Sequence, residues 1–331
     1  MAGCKGHTVT PEKPPVTHSP TDTLFAKGAD VSWLTQMEAS GYKFYDTTGQ
    51  QKDCLQILKE KGINAIRLRA WVNPVNGWCG TADVLNKAIR AKQAGFKIMI
   101  DFHYSDTWAD PAHQTKPAVW ANASTSALID SVYQYTFNVL TLLKSNGIVP
   151  QWVQIGNETN NGMLWPDGMA STHIDTFAQM INAGYTAAKA VDSSIQVIVH
   201  ISNGYDNSLF RWVFDGLQSN GAHWDIIGMS LYPDADTWQS LDNECLSNMQ
   251  DMVSRYGKKI MICEVWMSMT DSLASRSFLS DIINKVKSLP NQMGLGVFYW
   301  EPECYNNWQG YGKGAFNNQG MPTTALNAFE Q

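Results

Sequence analysis

The feature that most restricts this chain is an alternation repeated along nearly its whole length. Eight short apolar runs, "LFAKGADV", "NAIRLRAW", "KIMIDFHY", "WVQIGNE", "QVIVHIS", "DIIGMSLY", "KIMICEVW" and "GLGVFYWE", are separated by longer stretches. Several of those stretches carry helical periodicity, among them Ala82–Ala94, Ala127–Lys144, Ile174–Val191 and Asp271–Leu289. "KEKGIN", "KQAGFK", "KSNGIV" and "RYGKKI" each place Gly just after a helical segment, where a left-handed residue ends a helix. Strands separated by helices pair in parallel, because a parallel pair needs a crossover connection. Eight such units in 331 residues, 44% of them apolar, predict one α/β domain with a large core, a (β/α)8 TIM barrel over residues 24–331. A doubly wound open sheet is the alternative. That fold usually carries a Gly-rich phosphate loop after its first strand, and none follows "LFAKGADV".

Residues 1–23 break the pattern. They are rich in Pro, Thr and Ser, lack apolar periodicity, and are expected to form a flexible tether. "AGC" resembles the tail of a bacterial lipobox, which would make Cys4 a lipid-anchored first residue of an exported protein at the cell surface or in the periplasm. An artificial leader is the alternative for this stretch, and simple secretion the alternative for the protein. No apolar run is long enough to cross a bilayer, so a membrane is expected as partner only through Cys4. The net charge of −6 and the lack of a Lys/Arg run give no reason to bind nucleic acid. The other cysteines, Cys54, Cys79, Cys245, Cys263 and Cys304, show no metal-ligand spacing, so neither a zinc site nor a cofactor is expected. Their odd number leaves at least one thiol free, and Cys263 fits as a small buried hydrophobe. A monomer is expected.

In a barrel of this kind the active site lies at the carboxyl ends of the strands. Those ends carry Asp30, Arg67 and Arg69, Asp101 with His103, Asn157 with Glu158, His200, Tyr232, Glu264, and Trp300 with Glu301. Polar groups from nearly every strand converging there by accident is improbable. Glu158 comes after the fourth strand and Glu264 after the seventh, and these strands face each other across a barrel mouth. Paired carboxylates can cleave a glycosidic bond, one as a protonated acid and the other as a nucleophile, when they lie roughly 5–5.5 Å apart. The structural alternative is that one of them merely pairs with a neighbouring arginine. The 13 Trp, 12 Tyr and 12 Phe suit the apolar faces of sugar rings, though large cores use the same residues.

The blocks "IRLRAWVNP", "FHYSDTWADPAHQTKP", "IGNE", "VHISNGYD", "SLYPD", "ICEVW" and "FYWEP" occur in this order. Together they resemble glycoside hydrolase family 53, the endo-β-1,4-galactanases, from about Phe25 to the C-terminus. "IGNE" alone would indicate only the wider clan of retaining barrel hydrolases; "FHYSDTWADP" carries the family. The resemblance implies Glu158 as general acid/base and Glu264 as nucleophile. It implies Asn157 on the sugar 2-hydroxyl, Arg67 keeping Glu264 ionised, and Tyr232 orienting Glu264. Arg69 shares a strand face with Arg67 by period two and could share its task.

His103, Asp106 and Trp108 are expected to line the cleavage subsite or its neighbours, with His200 nearby and Trp300 as a sugar floor. For His103 and His200 the plainer reading is a structural hydrogen bond, and for Tyr232 a rim aromatic. Trp71, Trp165, Trp266 and Trp308 are looser candidates for stacking, and Asp101 and Glu301 are expected to anchor neighbouring polar groups. The segment between Val265 and Met293 is shorter than in many relatives and lacks an oxygen-ligand run, so no calcium is expected there. The implied substrate is β-1,4-galactan and its oligosaccharides. Another β-1,4-glycan such as mannan, or a surface glycan-binding protein without turnover, are the alternatives.

Overall fold

The computed structural model describes residues 25–268 and 270–331. The tether expected over residues 1–23, and Cys4 with it, lie outside the described residues. Eight parallel strands close on themselves: β1 (Ala26–Asp30), β2 (Ala65–Ala70), β3 (Lys97–Phe102), β4 (Trp152–Ile155), β5 (Gln196–Ile201), β6 (Ile226–Leu231), β7 (Lys259–Val265) and β8 (Gly294–Trp300). Each pairs with its sequence neighbours, and β1 closes the ring on β8 with Asp30 opposite Trp300. The expected barrel is therefore present, with every predicted apolar run supplying a strand.

The main helices are α1 (Leu34–Ala39), α2 (Cys54–Glu60), α3 (Thr81–Gln93), α4 (Thr125–Ser145), α5 (Ala170–Val191), α6 (Asn207–Ser219), α7 (Trp238–Tyr256) and α8 (Ser272–Lys287). Four of these eight carry side-chain caps: Asp53, Ser124, Asp206 and Asp271 each accept a backbone N–H from the first turn. Gly62, Gly95, Gly147 and Gly257, the four stop signals, all stand at positive φ. The core lies between strands and helices; α4, for example, turns Leu128, Val132, Val139, Leu140 and Leu143 onto it.

Inside the ring, the end where strands begin is plugged by Met99, Trp152, Ile198, Met261, Cys263 and Phe298. Gly28 is small because a Cβ there would stand 2.1 Å from the Phe298 ring. Cys263 thus fills apolar space, and the five described cysteines are all buried free thiols. With that end filled by apolar side chains, the interior becomes polar toward the carboxyl ends, where the strand-end residues meet.

Candidate active site

Arg67 organises the mouth. It sits in mid-β2, opposite Asp30 of β1, and is 1% exposed. Its Nη1 donates to Asp30 Oδ2 at 2.5 Å and its Nη2 to Asp101 Oδ2 at 2.9 Å. Nη2 also reaches Asn157 Oδ1 at 2.9 Å and Glu264 Oε1 at 2.6 Å, while Nε donates to Gln154 Oε1 at 2.6 Å. Burial opposes its charge, and Asp101, Glu264 and Asp30 more than offset that, so the guanidinium stays ionised. A buried cation is tolerable here only because every donor face meets an acceptor.

Glu158 and Glu264 line one cleft of about 790 Å³, together with Trp33, Trp71, Trp108, Tyr232, Trp266 and Trp300. The strand register brings the two carboxyls close: Ser230 of β6 pairs with Glu264 of β7, and Ser230 Oγ donates to Glu158 Oε1 at 2.6 Å. Their surroundings differ. Glu264 has Arg67 on Oε1 and accepts the Tyr232 hydroxyl on Oε2. Glu158 has the neutral Ser230 hydroxyl and, among the described residues, no direct cation.

That asymmetry orders their protons. Burial raises both carboxyls, which are 7% and 4% exposed. The neighbouring Glu264 charge pushes Glu158 further up, whereas Arg67 and Tyr232 pull Glu264 back down. Glu264 ionises first, and Glu158 keeps its proton while it does so. Glu158 also holds a backbone φ of +44°, a left-handed conformation that non-glycine residues adopt at a cost of about 1–3 kcal/mol.

A hydrogen-bonded chain beneath the cleft joins these groups. Gln154 Nε2 donates to Asp101 Oδ1 and to His200 Nδ1, and His200 Nε2 faces Ser230 Oγ at 2.8 Å. With its proton on Nε2, His200 donates to Ser230, leaving the Ser230 proton for Glu158, and its Nδ1 accepts from Gln154 while also lying 3.0 Å from Asn157 Oδ1. Burial and Arg67 push His200 well below the usual histidine range, so it is neutral. Gln154 and Ser230 were not singled out from the sequence. Their signal was present: Gln154 is polar in the middle of an apolar strand, and Ser230 lies two residues before Tyr232, on the same strand face.

The remaining predicted residues divide. His103 and Asp106 line the cleft, yet their polar atoms are occupied within the protein. His103 Nε2 faces Asp101 at 2.9 Å, and Nδ1 accepts from Trp71 Nε1 and the Ala109 N–H. Asp106 accepts the backbone N–H groups of Asn73 and Ala118, tying two loops together. His200 is fully buried behind the cleft rather than on its surface. Asn157 Nδ2 spends one hydrogen on Ala109 O, leaving the other. Arg69 departs from the role it could have shared: its ion-pair partner is Glu301, at 3.0 Å, and not Glu264. Asp101 and Glu301 do anchor neighbours, as expected. Trp71 and Trp266 line the cleft; Trp308 is buried against Tyr42, and Trp165 donates to Asn161 O.

Among the described residues, Glu301, Glu303 and Cys304 are the group whose ligand atoms lie close enough to hold a metal ion, within 4.8 Å of one another. They are not on the segment between Val265 and Met293.

Comparison with known proteins agrees with this geometry. The family model described as "Glycosyl hydrolase family 53" matches residues 26–329. A "Probable arabinogalactan endo-beta-1,4-galactanase A" of Neosartorya fischeri is 34% identical over 86% of this chain and 86% of its own length. The "Endo-beta-1,4-galactanase" of Bacillus subtilis is 32% identical over 84% of this chain and 70% of that one. Among solved structures, the family 53 catalytic domain of Ignisphaera aggregans superposes with a TM-score of 0.86 at 31% identity, covering 96% of this chain and 98% of that one. The match spans all eight strands and both cleft carboxylates, and this chain belongs to glycosyl hydrolase family 53.

Proposed function

We propose that this chain hydrolyses β-1,4-galactosidic bonds within galactan, in endo fashion and with retention of anomeric configuration. The galactanase names of its family 53 relatives support the substrate. The observation that carries the chemistry is the unequal setting of two buried carboxyls on one cleft: Arg67 and Tyr232 on Glu264, only Ser230 on Glu158.

From that inequality the steps follow. The Glu264 carboxylate attacks the anomeric carbon as the Glu158 proton passes to the departing glycosidic oxygen, giving a glycosyl-enzyme ester. The loss of charge on Glu158's partner lowers the cost of ionising Glu158, which then accepts a proton from water. That water attacks the anomeric carbon of the ester, the bond from that carbon to Glu264 breaks, and Glu264 leaves as a carboxylate facing Arg67 again. Asn157, fixed by Arg67 through Oδ1, directs its remaining amide hydrogen toward the sugar 2-hydroxyl. Trp300 offers a ring to the sugar in the same subsite.

Reducing-sugar release from potato-type galactan, with mannan and cellulose as controls, tests the substrate. A ladder of short oligosaccharides from galactan is expected; activity on mannan alone would overturn the assignment. Export with a lipid on Cys4, and action as a monomer, belong to the same proposal. The first is checked by the mass of the native N-terminal peptide, the second by sedimentation.

A further inference from the structure

We propose that Arg69 is a positioning residue for the substrate: its guanidinium, fixed by Glu301, gathers Trp33, Trp71 and Trp108 into one wall of the cleft. The proposal rests on the galactanase reading for its substrate, though not for its geometry.

Arg69 is buried at 1% exposure, on the same face of β2 as Arg67. Arg67 fills its donors with carboxylate and amide oxygens, and Arg69 does not. Its Nη1 donates to Glu301 Oε1, while Nε and Nη2 are buried with no hydrogen-bond partner. Two orphaned donors on a buried cation would be costly unless something else met their charge. Three indole rings do, beside the Cys79 sulfur and Asp30. The guanidinium carbon lies 4.1 Å from the Trp108 ring centroid, 5.1 Å from Trp71 and 5.5 Å from Trp33, all within cation–π range. Arginine suits this place better than lysine, being planar and weakly hydrated.

The rings are also locked to one another. Trp108 meets Trp33 edge-on at 5.4 Å and Trp71 edge-on at 5.3 Å, and Trp300 lies 5.9 Å beyond. Glu301 holds both ends of the device, the Arg69 cation on Oε1 and the backbone N–H of Trp33 on Oε2 at 3.0 Å. All four indoles line the cleft. Rings fixed before the sugar arrives lose little freedom when it binds, which favours affinity.

The same view accounts for the Glu301, Glu303 and Cys304 cluster. Burial and the Glu301 charge push Glu303 well above the usual carboxyl range. A neutral Glu303 leaves Glu301 as the anion paired with Arg69, with Asp30 also acting on its charge, and a metal ion there would compete with Arg69 for Glu301.

The test compares Arg69→Met, Arg69→Lys and the double variant Arg69→Met/Glu301→Gln, which leaves no stranded buried carboxylate. For each, kcat and KM on galactan, the pH profile, the melting temperature and acrylamide quenching of tryptophan emission are measured. Both Met variants should raise KM about tenfold with kcat within about threefold, the pattern of lost uniform binding. The acidic limb should stay in place, quenching should increase, and Arg69→Lys should recover part of the KM. Unchanged KM and quenching with a lower melting temperature would reduce Arg69 to a scaffold residue and overturn the proposal. A fall in kcat with a displaced acidic limb would also overturn it, by assigning Arg69 to Glu264. Wild-type protein inactive on galactan would sink the substrate reading instead, and the quenching series would still decide whether Arg69 orders the rings.

Discussion

Where the upper mouth of the barrel gathers carboxyls, the lower mouth gathers lysines. Glu158, Glu264, Asp106 and Asp110 line the upper cleft of about 790 Å³. Lys97, Lys259 and Lys287 line a lower hollow of about 1000 Å³, with no acidic side chain among its described lining residues. The larger hollow is not the site. Glu158 and Glu264 are buried, and their unlike neighbours set the order in which they ionise, which is the mark of chemistry.

Four other lower-face lysines serve helix ends. Lys59, Lys92, Lys144 and Lys189, each in the last turn of a helix, donate to the carbonyls of Ala94, Gly147, Val191 and Ile195 near the following connections. A cation there offsets the partial negative charge of a helix C-terminus. The backbone divides the same way. Left-handed residues below are mostly glycines, with Asn291 and Gln292 as exceptions, whereas above they include Tyr104, Glu158, Asn203 and Glu301. One end of the molecule relaxes its chain; the other spends stability to aim side chains.

The sharpest way to break this contrast is to remove Glu264. Glu264→Ala should lower kcat by at least about a thousandfold, with partial recovery in azide as a substitute nucleophile. Its melting temperature should hold, because Arg67 keeps Asp30 and Asp101. Undiminished turnover would move the nucleophile elsewhere.

A second measurement is the pH dependence of kcat/KM. Activity requires Glu264 ionised and Glu158 protonated, so the acidic limb follows Glu264 and the basic limb Glu158. The Ser230 hydroxyl stabilises ionised Glu158 and so holds its pKa down. Ser230→Ala should therefore shift the basic limb upward while the acidic limb stays put. A downward shift would mean that Ser230 favours the protonated form.

The lower mouth should give the smallest response. Lys92→Ala removes a bond to Gly147 O and is expected to cost under about 1 kcal/mol in denaturant titration. Its kcat/KM should match wild type; a clear loss there would show the two ends to be coupled.

The fold was legible because eight buried strands read as near-continuous apolar runs, and helix stops carried glycine. Glu158 and Glu264 were legible because carboxylates at the ends of such runs have no apolar purpose. Arg69 was not. Its period-two spacing from Arg67 gave the right face, but partners are set by depth in the barrel, and Glu301 lies far off in sequence. For His200 both readings stayed open for the same reason: position at a strand end does not tell whether a ring meets solvent or a neighbour such as Ser230.

The closure of β1 against β8 has a practical corollary. Phe25 borders the basal hollow, and the Lys27 ammonium hydrogen-bonds Gln331 O, so the first and last described residues emerge together on the base. A strand of this length rises on the order of 20 Å, so Phe25 and the carboxyls lie at opposite ends of the barrel. A resin, a dye or a second module joined after Gln331 would start from the face away from the cleft, leaving an incoming polymer room to lie across the opposite rim.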